Sequence, residues 1–340
     1  MVRSDQYRGV PPGPCRKDNC LHMPYRDMTR TLRSAALAVA YWSGFAGSER
    51  RRQPVGRIVN FHGTPRSAAA EFERQMRYLR SHFDVVPLAQ IAAGVGGSPQ
   101  SLAGRVALTF DDGLRNNVTV AYPILRRLGL PATFFVCPGL IDQRRWLWTH
   151  DIRQRLHFAG DRARADAFVE WMKSLDLATR KRVEIAVREA SRDYVPSATE
   201  RHAFDLADWN ELRALDPALI TIGSHSLTHP ILSRLTPEEA QEEIVASRRL
   251  LEHRLARSVD FFSYPNDAFD TTVHELVRRH YRAACQGFAP WMGSQQDPHL
   301  LPRTNVPRGA MRLALALHRV QSRGGEPVAR DSTLLSLIEP

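Results

Sequence analysis

Two short runs hold residue types that could do chemistry together. The first is Thr109-Phe110-Asp111-Asp112-Gly113, with two adjacent carboxylates just past an apolar stretch. Neighbouring carboxylates at the end of a buried strand are costly unless they are paired or bound to a cation. Successive residues of an extended chain point in different directions. One carboxylate can therefore face a cation while the other faces water, and Gly113 lets the backbone turn there. Taken alone, the run could also be a turn that starts with Asp. The second run is Ser224-His225-Ser226-Leu227-Thr228-His229-Pro230. Its spacing predicts a helical turn, in which histidines four apart share a face. Two imidazoles and one carboxylate suit zinc or a similar divalent ion, and they leave positions open for water and substrate.

The elements around these runs must bring them together. Apolar, β-rich stretches predict strands at 57–61, 105–110, 132–137, 219–224, 259–265 and 282–285, with a short extended piece at 85–86. Helical spacing predicts helices at 67–82, 117–128, 206–215 and 272–281. Thr236-Pro237-Glu238-Glu239 reads as a capping box opening a long helix, with proline at its first position. Gly-rich 92–100 reads as a loop. The charged, Arg-rich stretch at about 142–205 reads as a helical insertion over one face of the domain. Strand-helix alternation predicts an α/β fold, either a barrel or a doubly wound sheet. In both, ligands gather at the C-terminal strand ends, and Asp111, Asp112, His225 and Pro265 all fall there.

Composition is that of a globular chain, with 43% hydrophobic and 24% charged residues. Charge is uneven. Residues 1–57 hold eleven Arg or Lys and four Asp or Glu, about +7 of the net +11, and all of these but Arg57 lie in an N-terminal arm at 1–56. Such an arm is expected to be disordered and solvated or to rest on an anionic membrane surface. No nucleic-acid-binding motif accompanies the charge, so no nucleic-acid partner is expected. The apolar run 34–47 is too short to span a bilayer and reads as an interfacial helix or a weak signal-like segment. The expected location is cytoplasmic or membrane-associated in preference to secreted. Cys137 and Cys285 read as buried thiols, and the loose Cys15–Cys20 pair lacks the partners of a metal site.

These motifs closely resemble the NodB-homology polysaccharide deacetylase family. Its T-F-D-D-G matches Thr109–Gly113 and its H-[ST]-x-x-H matches His225–His229. The resemblance spans about 57–308, leaving a tail at 309–340. It implies a distorted (β/α) barrel and a metal-dependent hydrolase that removes N-acetyl groups from a poly- or oligosaccharide. By the same resemblance Asp111 is the general base, and Asp112, His225 and His229 hold a divalent metal, zinc first, with cobalt or nickel as alternatives. An N-formyl or non-sugar amide, or a non-catalytic carbohydrate-binding relative, stays open as another reading.

The chain also departs from the family pattern. Where the family has R-x-P-x-G, this sequence has Ser263-Tyr264-Pro265-Asn266-Asp267, so the arginine that orients the base is replaced by Ser263. Arg303 is the candidate to supply that role from elsewhere, and the Asn266 N–H is a candidate oxyanion donor by position. The leaving amine needs an acid. The candidates are His62, in Asn60-Phe61-His62-Gly63, and His318, in Leu315-Ala316-Leu317-His318, with neither, and a structural role for His62 at its strand end, as the third reading. His62 is favoured, because it resembles the Tyr-His start of the exopolysaccharide-modifying branch with Phe61 in place of Tyr. Trp148, with Trp146, Trp209 and Trp291, is expected either to line the sugar site or to pack the insertion onto the barrel.

Overall fold

Strands buried on both faces need continuous apolar runs, and those runs form a parallel sheet. The computed structural model describes residues 56–288, 296–307 and 309–317. Its strands are β1 (Arg57–Phe61), β2 (Asp84–Val85), β3 (Arg105–Phe110), β4 (Ala132–Val136), β5 (Ile220–Ser224), β6 (Phe261–Ser263), β7 (Ala283–Phe288) and β8 (Leu301–Asn305). All pair in parallel, in the order β1-β8-β7-β6-β5-β4-β3, and β1 returns to pair with β3. The sheet thus closes into a barrel with helices around it. The short β2 lies along the first half of β3, which β4 borders further on.

Period-two alternation divides the core into two clusters. One set of strand residues, including Val59, Leu108, Phe110, Phe134, Ile222 and Phe262, packs outward against the helices. Phe110 anchors it, stacked on Phe61 at 4.9 Å and edge-on to Phe134 at 5.0 Å. The other set fills the barrel: Ile58, Ala107, Phe135, Phe261, Ala283, Cys285 and Leu301, joined by Leu88, Ile91 and Leu102. Each large apolar side chain so buried contributes about 1.5–3 kcal/mol. Phe135 fits because Gly223 faces it; a Cβ at 223 would meet the ring at 2.5 Å. Gly223→Ala is therefore expected to disturb this packing.

Part of the expected loop at 92–100 is helical. Ala92 to Gly94 close the helix Leu88–Gly94, whose apolar residues join the barrel cluster. The Thr236 capping box is present, but the helix it opens passes through a wide turn at Glu242–Ala246 before continuing as Ser247–Leu255. Between β4 and β5 the insertion forms the helices Trp148–Phe158, Ala165–Met172, Leu177–Ala190 and Ala198–Phe204. Its own small core contains Trp148, Ile152, Val169 and Met172. Beside that core lies a partly buried ion network in which Asp151 accepts from Arg155 at 2.8 Å and Arg188 at 2.7 Å, and Glu184 accepts from Arg188 at 3.0 Å. Among the described residues, no helix is long and apolar enough to cross a membrane.

Candidate active site

Parallel strands put all their C-terminal ends on one rim, and the same alternation that fills the barrel aims polar side chains there. Ile58, Ala107, Phe261 and Leu301 lie in the barrel core. Two residues further along each strand stand Asn60, Thr109, Ser263 and Arg303, all buried. Asp111 and His225 continue β3 and β5 beyond Thr109 and Gly223 in the same register.

Asp111 is held on every side. Arg303 donates through both terminal nitrogens, Nη1 to Oδ1 and Nη2 to Oδ2, each at 2.8 Å. Asn60 Nδ2 donates to Oδ2 at 3.0 Å, and Ser263 Oγ to Oδ1 at 3.3 Å. Asn60 is itself fixed, because its Oδ1 accepts from Thr109 Oγ1 and Arg303 Nη1, both at 2.9 Å. Burial pushes the Asp111 carboxyl up, but the charges of Arg303 and His225 outweigh it and bring the pKa down to about 2. Burial likewise opposes the Arg303 charge, and Asp111 overrides it, holding Arg303 well above its usual value. This forked clamp is the strong, oriented kind of ion pair.

Asp112 is placed differently. Its backbone is left-handed, with φ 72°, and so is that of Gly113, with φ 70°. This breaks the strand alternation and turns the second carboxylate beside the first. A Cβ at Gly113 would lie 3.0 Å from Val136. Asp112 Oδ1 lies 3.7 Å from His225 Nε2 and 3.6 Å from His229 Nε2, and one ligand atom from each of the three residues falls within 4.8 Å of the others. Zinc bonds of about 2.1 Å at tetrahedral angles put ligand atoms about 3.4 Å apart, so the spacing of this set would suit one such ion. His225 Nδ1 faces the Ser263 carbonyl oxygen at 2.8 Å. As the donor in that contact it leaves Nε2 with a free lone pair, the usual support for a ligating imidazole. His229 is held neutral, its pKa brought down to about 3 by burial and by His225. The residues present fit a divalent cation.

The expected helical turn at 225–229 is instead a loop. Ser226 and His229 both have positive φ, 62° and 59°. Side chains hold this shape: His229 N–H donates to Ser226 Oγ at 3.0 Å, and Glu243 accepts from Thr228 N at 2.8 Å and Thr228 Oγ1 at 2.5 Å. The rings still meet, with centroids 4.8 Å apart. Strained, non-glycine backbone of this kind clusters at functional sites, and Asn266 and Asp267 on the loop after β6 share it.

Of the other expected residues, Arg303 arrives from β8. His62 stands exposed at the end of β1, and its charge helps lower the pKa of both Asp111 and Asp112. Asn266 is exposed just past Ser263. Trp148 does not line the site. It is 3% exposed, its indole N–H donates to the His229 carbonyl at 3.0 Å, and Arg180 lies 4.7 Å over its ring. It packs the insertion onto the barrel and braces the second histidine. Trp146 and Trp209 are tied by their indole N–H groups to Asp205 and Asp142. Trp291, His318, the Cys15–Cys20 pair and the arm up to 55 lie outside the described residues. Two neighbours were missed. Asn60 carried a signal, a buried amide in an otherwise apolar strand. His150, whose Nε2 lies 3.9 Å from Asp112 Oδ2, carried none, because it comes from the insertion.

A sequence model described as "Polysaccharide deacetylase" matches residues 100–283, more than half of the chain. The chain belongs to the polysaccharide deacetylase family. No curated protein matches it. Among solved structures the fold is similar to the deacetylase PplD of Streptococcus pyogenes in complex with acetate, with TM-score 0.56 and 14% identity over 78% of this chain and 99% of that one. It is also similar to IcaB of Ammonifex degensii, with TM-score 0.54 and 16% identity over 78% and 97% of the two chains. A polysaccharide deacetylase of Bacillus cereus gives TM-score 0.51 and 15% identity over 78% and 69%. With the triad in place, this family member is a metal-dependent, deacetylase-type hydrolase of C–N bonds.

Proposed function

We propose that the chain removes N-acetyl groups from an N-acetylated poly- or oligosaccharide, with zinc as the resident ion and cobalt or nickel able to replace it. The observation that carries this reading is the pair of adjacent carboxylates with divided surroundings. Asp111 is saturated by donors, while Asp112 faces two neutral-capable imidazoles. Asp112, His225 and His229 would hold the cation. Bound there, a divalent cation polarises an amide carbonyl and acidifies water, which lets so acidic a carboxylate as Asp111 serve as the base. Arg303, Asn60 and Ser263 hold Asp111 ionised and aimed. The Asn266 N–H faces the growing oxyanion. His62 gives a proton to the departing amine, so water and amide become acetate and an amino sugar.

The test is acetate release from a panel of N-acetylated glycans, with metal content measured on the same sample. Release from at least one glycan is expected. Formate from N-formyl sugars with no acetate from any glycan would move the activity to another amide, and no release at all would contradict hydrolysis. His62→Ala is expected to lose turnover. If only His318→Ala loses it, the acid is misassigned.

The basic arm adds a second partner. Its excess of cations supports peripheral contact with an anionic membrane, on the cytoplasmic or membrane-associated side of the two locations considered.

A further inference from the structure

The two oxygens of Asp112 face different partners. Oδ1 points to the imidazoles of His225 and His229, at 3.7 and 3.6 Å. Oδ2 points to a third imidazole, that of His150, with Nε2 at 3.9 Å. Among the described residues, imidazoles alone approach this carboxylate within ion-pair distance. Asp111, one residue away, has four side-chain hydrogen bonds.

His150 is not a loose surface residue. It sits in the first turn of Trp148–Phe158, with its N–H bonded to the Leu147 carbonyl at 3.0 Å. Its ring lies flat on Phe204, with centroids 4.7 Å apart and planes 24° apart. Phe204 packs in turn on Trp146, with centroids at 5.4 Å. Two residues earlier the same helix is pinned by the Trp148 indole on the His229 carbonyl. One helix of the insertion thus reaches two of the three ligand residues: Trp148 meets the backbone of His229, and His150 the outer oxygen of Asp112.

From this geometry we infer that His150 is a positioning residue for Asp112, donating to Oδ2 directly or through one water so that Asp112 offers the cation Oδ1 alone. The 3.9 Å gap is too long for a hydrogen bond as it stands, and a bridging water or a small carboxylate rotation closes it. A carboxylate held on one oxygen by an outer partner ligates through the other. That keeps further positions on the cation open to water and amide. The helical insertion therefore completes the metal site rather than only covering it. This inference rests on the reading of Asp112, His225 and His229 as metal ligands.

The test measures zinc affinity by competition with a chromophoric chelator, and the visible spectrum of the cobalt-loaded protein. The proteins compared are wild type, Asp112→Ala, His150→Phe, His150→Ala and His150→Gln. His150→Phe keeps a ring on Phe204 but has no N–H. It and His150→Ala are expected to bind zinc roughly 10- to 100-fold more weakly and to change the cobalt spectrum. His150→Gln, which keeps a donor, is expected to stay nearer to wild type. If His150→Phe and His150→Ala match wild type in affinity and spectrum while Asp112→Ala does not bind, the inference about His150 falls and the metal site stands. A loss in His150→Gln as large as in His150→Phe would also overturn the donor role. Wild type binding no more zinc than Asp112→Ala would overturn the metal site itself.

Discussion

Asp111 and Asp112 are chemically identical neighbours that their surroundings make unlike. Asp111 owes its charge to Arg303, since burial alone would drive it toward the neutral acid. Arg303→Met should therefore do two things. It leaves a buried carboxylate without its cation, which costs about 3–5 kcal/mol and is read as a lower denaturant midpoint. It also lowers kcat by on the order of 100-fold, within the range attributed to a positioned base. Zinc affinity should barely move, because Arg303 does not touch Asp112. A variant with wild-type kcat would remove Arg303 from the mechanism. At this scale the sequence was informative where chemistry is dense. Asp111, Asp112, His225 and His229 announce themselves by type and spacing. Asn60 shows only as an amide in an apolar strand and His150 not at all, because their roles depend on which strand and which helix become neighbours.

At the level of elements, the strands near the site were legible because parallel barrel strands read as uninterrupted apolar runs. β8 was not, since Pro302 and Arg303 break its run. Proline inside a strand argues against that assignment, and here it falls where the β7–β8 register shifts. The His225–His229 loop was misread as a helical turn because the spacing of four is common to both shapes. Its true shape depends on Glu243, which comes from the following helix. A second long-range tie holds the strand that leads into His225. Ser224 Oγ meets Ser247 Oγ at 2.7 Å, Ser247 Oγ meets the Tyr281 hydroxyl at 3.2 Å, and that hydroxyl donates to the Ile244 carbonyl at 2.8 Å. Burial pushes the Tyr281 phenol up to about 12, against about 10 in an unfolded chain. A raised phenol pKa favours the neutral folded form. Its contribution is therefore full below pH ~10 and is lost as pH rises toward ~12. Denaturant midpoints should fall across that window in wild type and fall less steeply in Tyr281→Phe. An equal slope in both would show that Tyr281 plays no part. At neutral pH the variant should lose about 0.5–1.5 kcal/mol for the missing hydroxyl bond, because the Ile244 carbonyl still accepts from Ser247 Oγ at 3.0 Å.

Across the whole molecule, one barrel gathers groups from β1, β3, β5, β6 and β8 onto a single rim, and the insertion between β4 and β5 leans onto the same rim through Trp148 and His150. The closed barrel was one of two folds that the alternation allowed. Composition cannot choose between them, because closure depends on the β1–β3 pairing. The arm at 1–56 carries most of the net charge. Vesicles of anionic lipid should bind the full chain at low salt and release it as salt rises; equal binding by a chain lacking 1–56 would contradict a role for the arm. The central claim is that Asp112, His225 and His229 hold the ion on which hydrolysis depends. The most direct measurement is acetate release from N-acetylglucosamine oligomers before chelation, after exhaustive chelation, and after adding back zinc or cobalt, with Asp112→Ala alongside. Release should vanish on chelation, return with the metal, and be absent from Asp112→Ala throughout. Release that survives both chelation and Asp112→Ala would contradict the account.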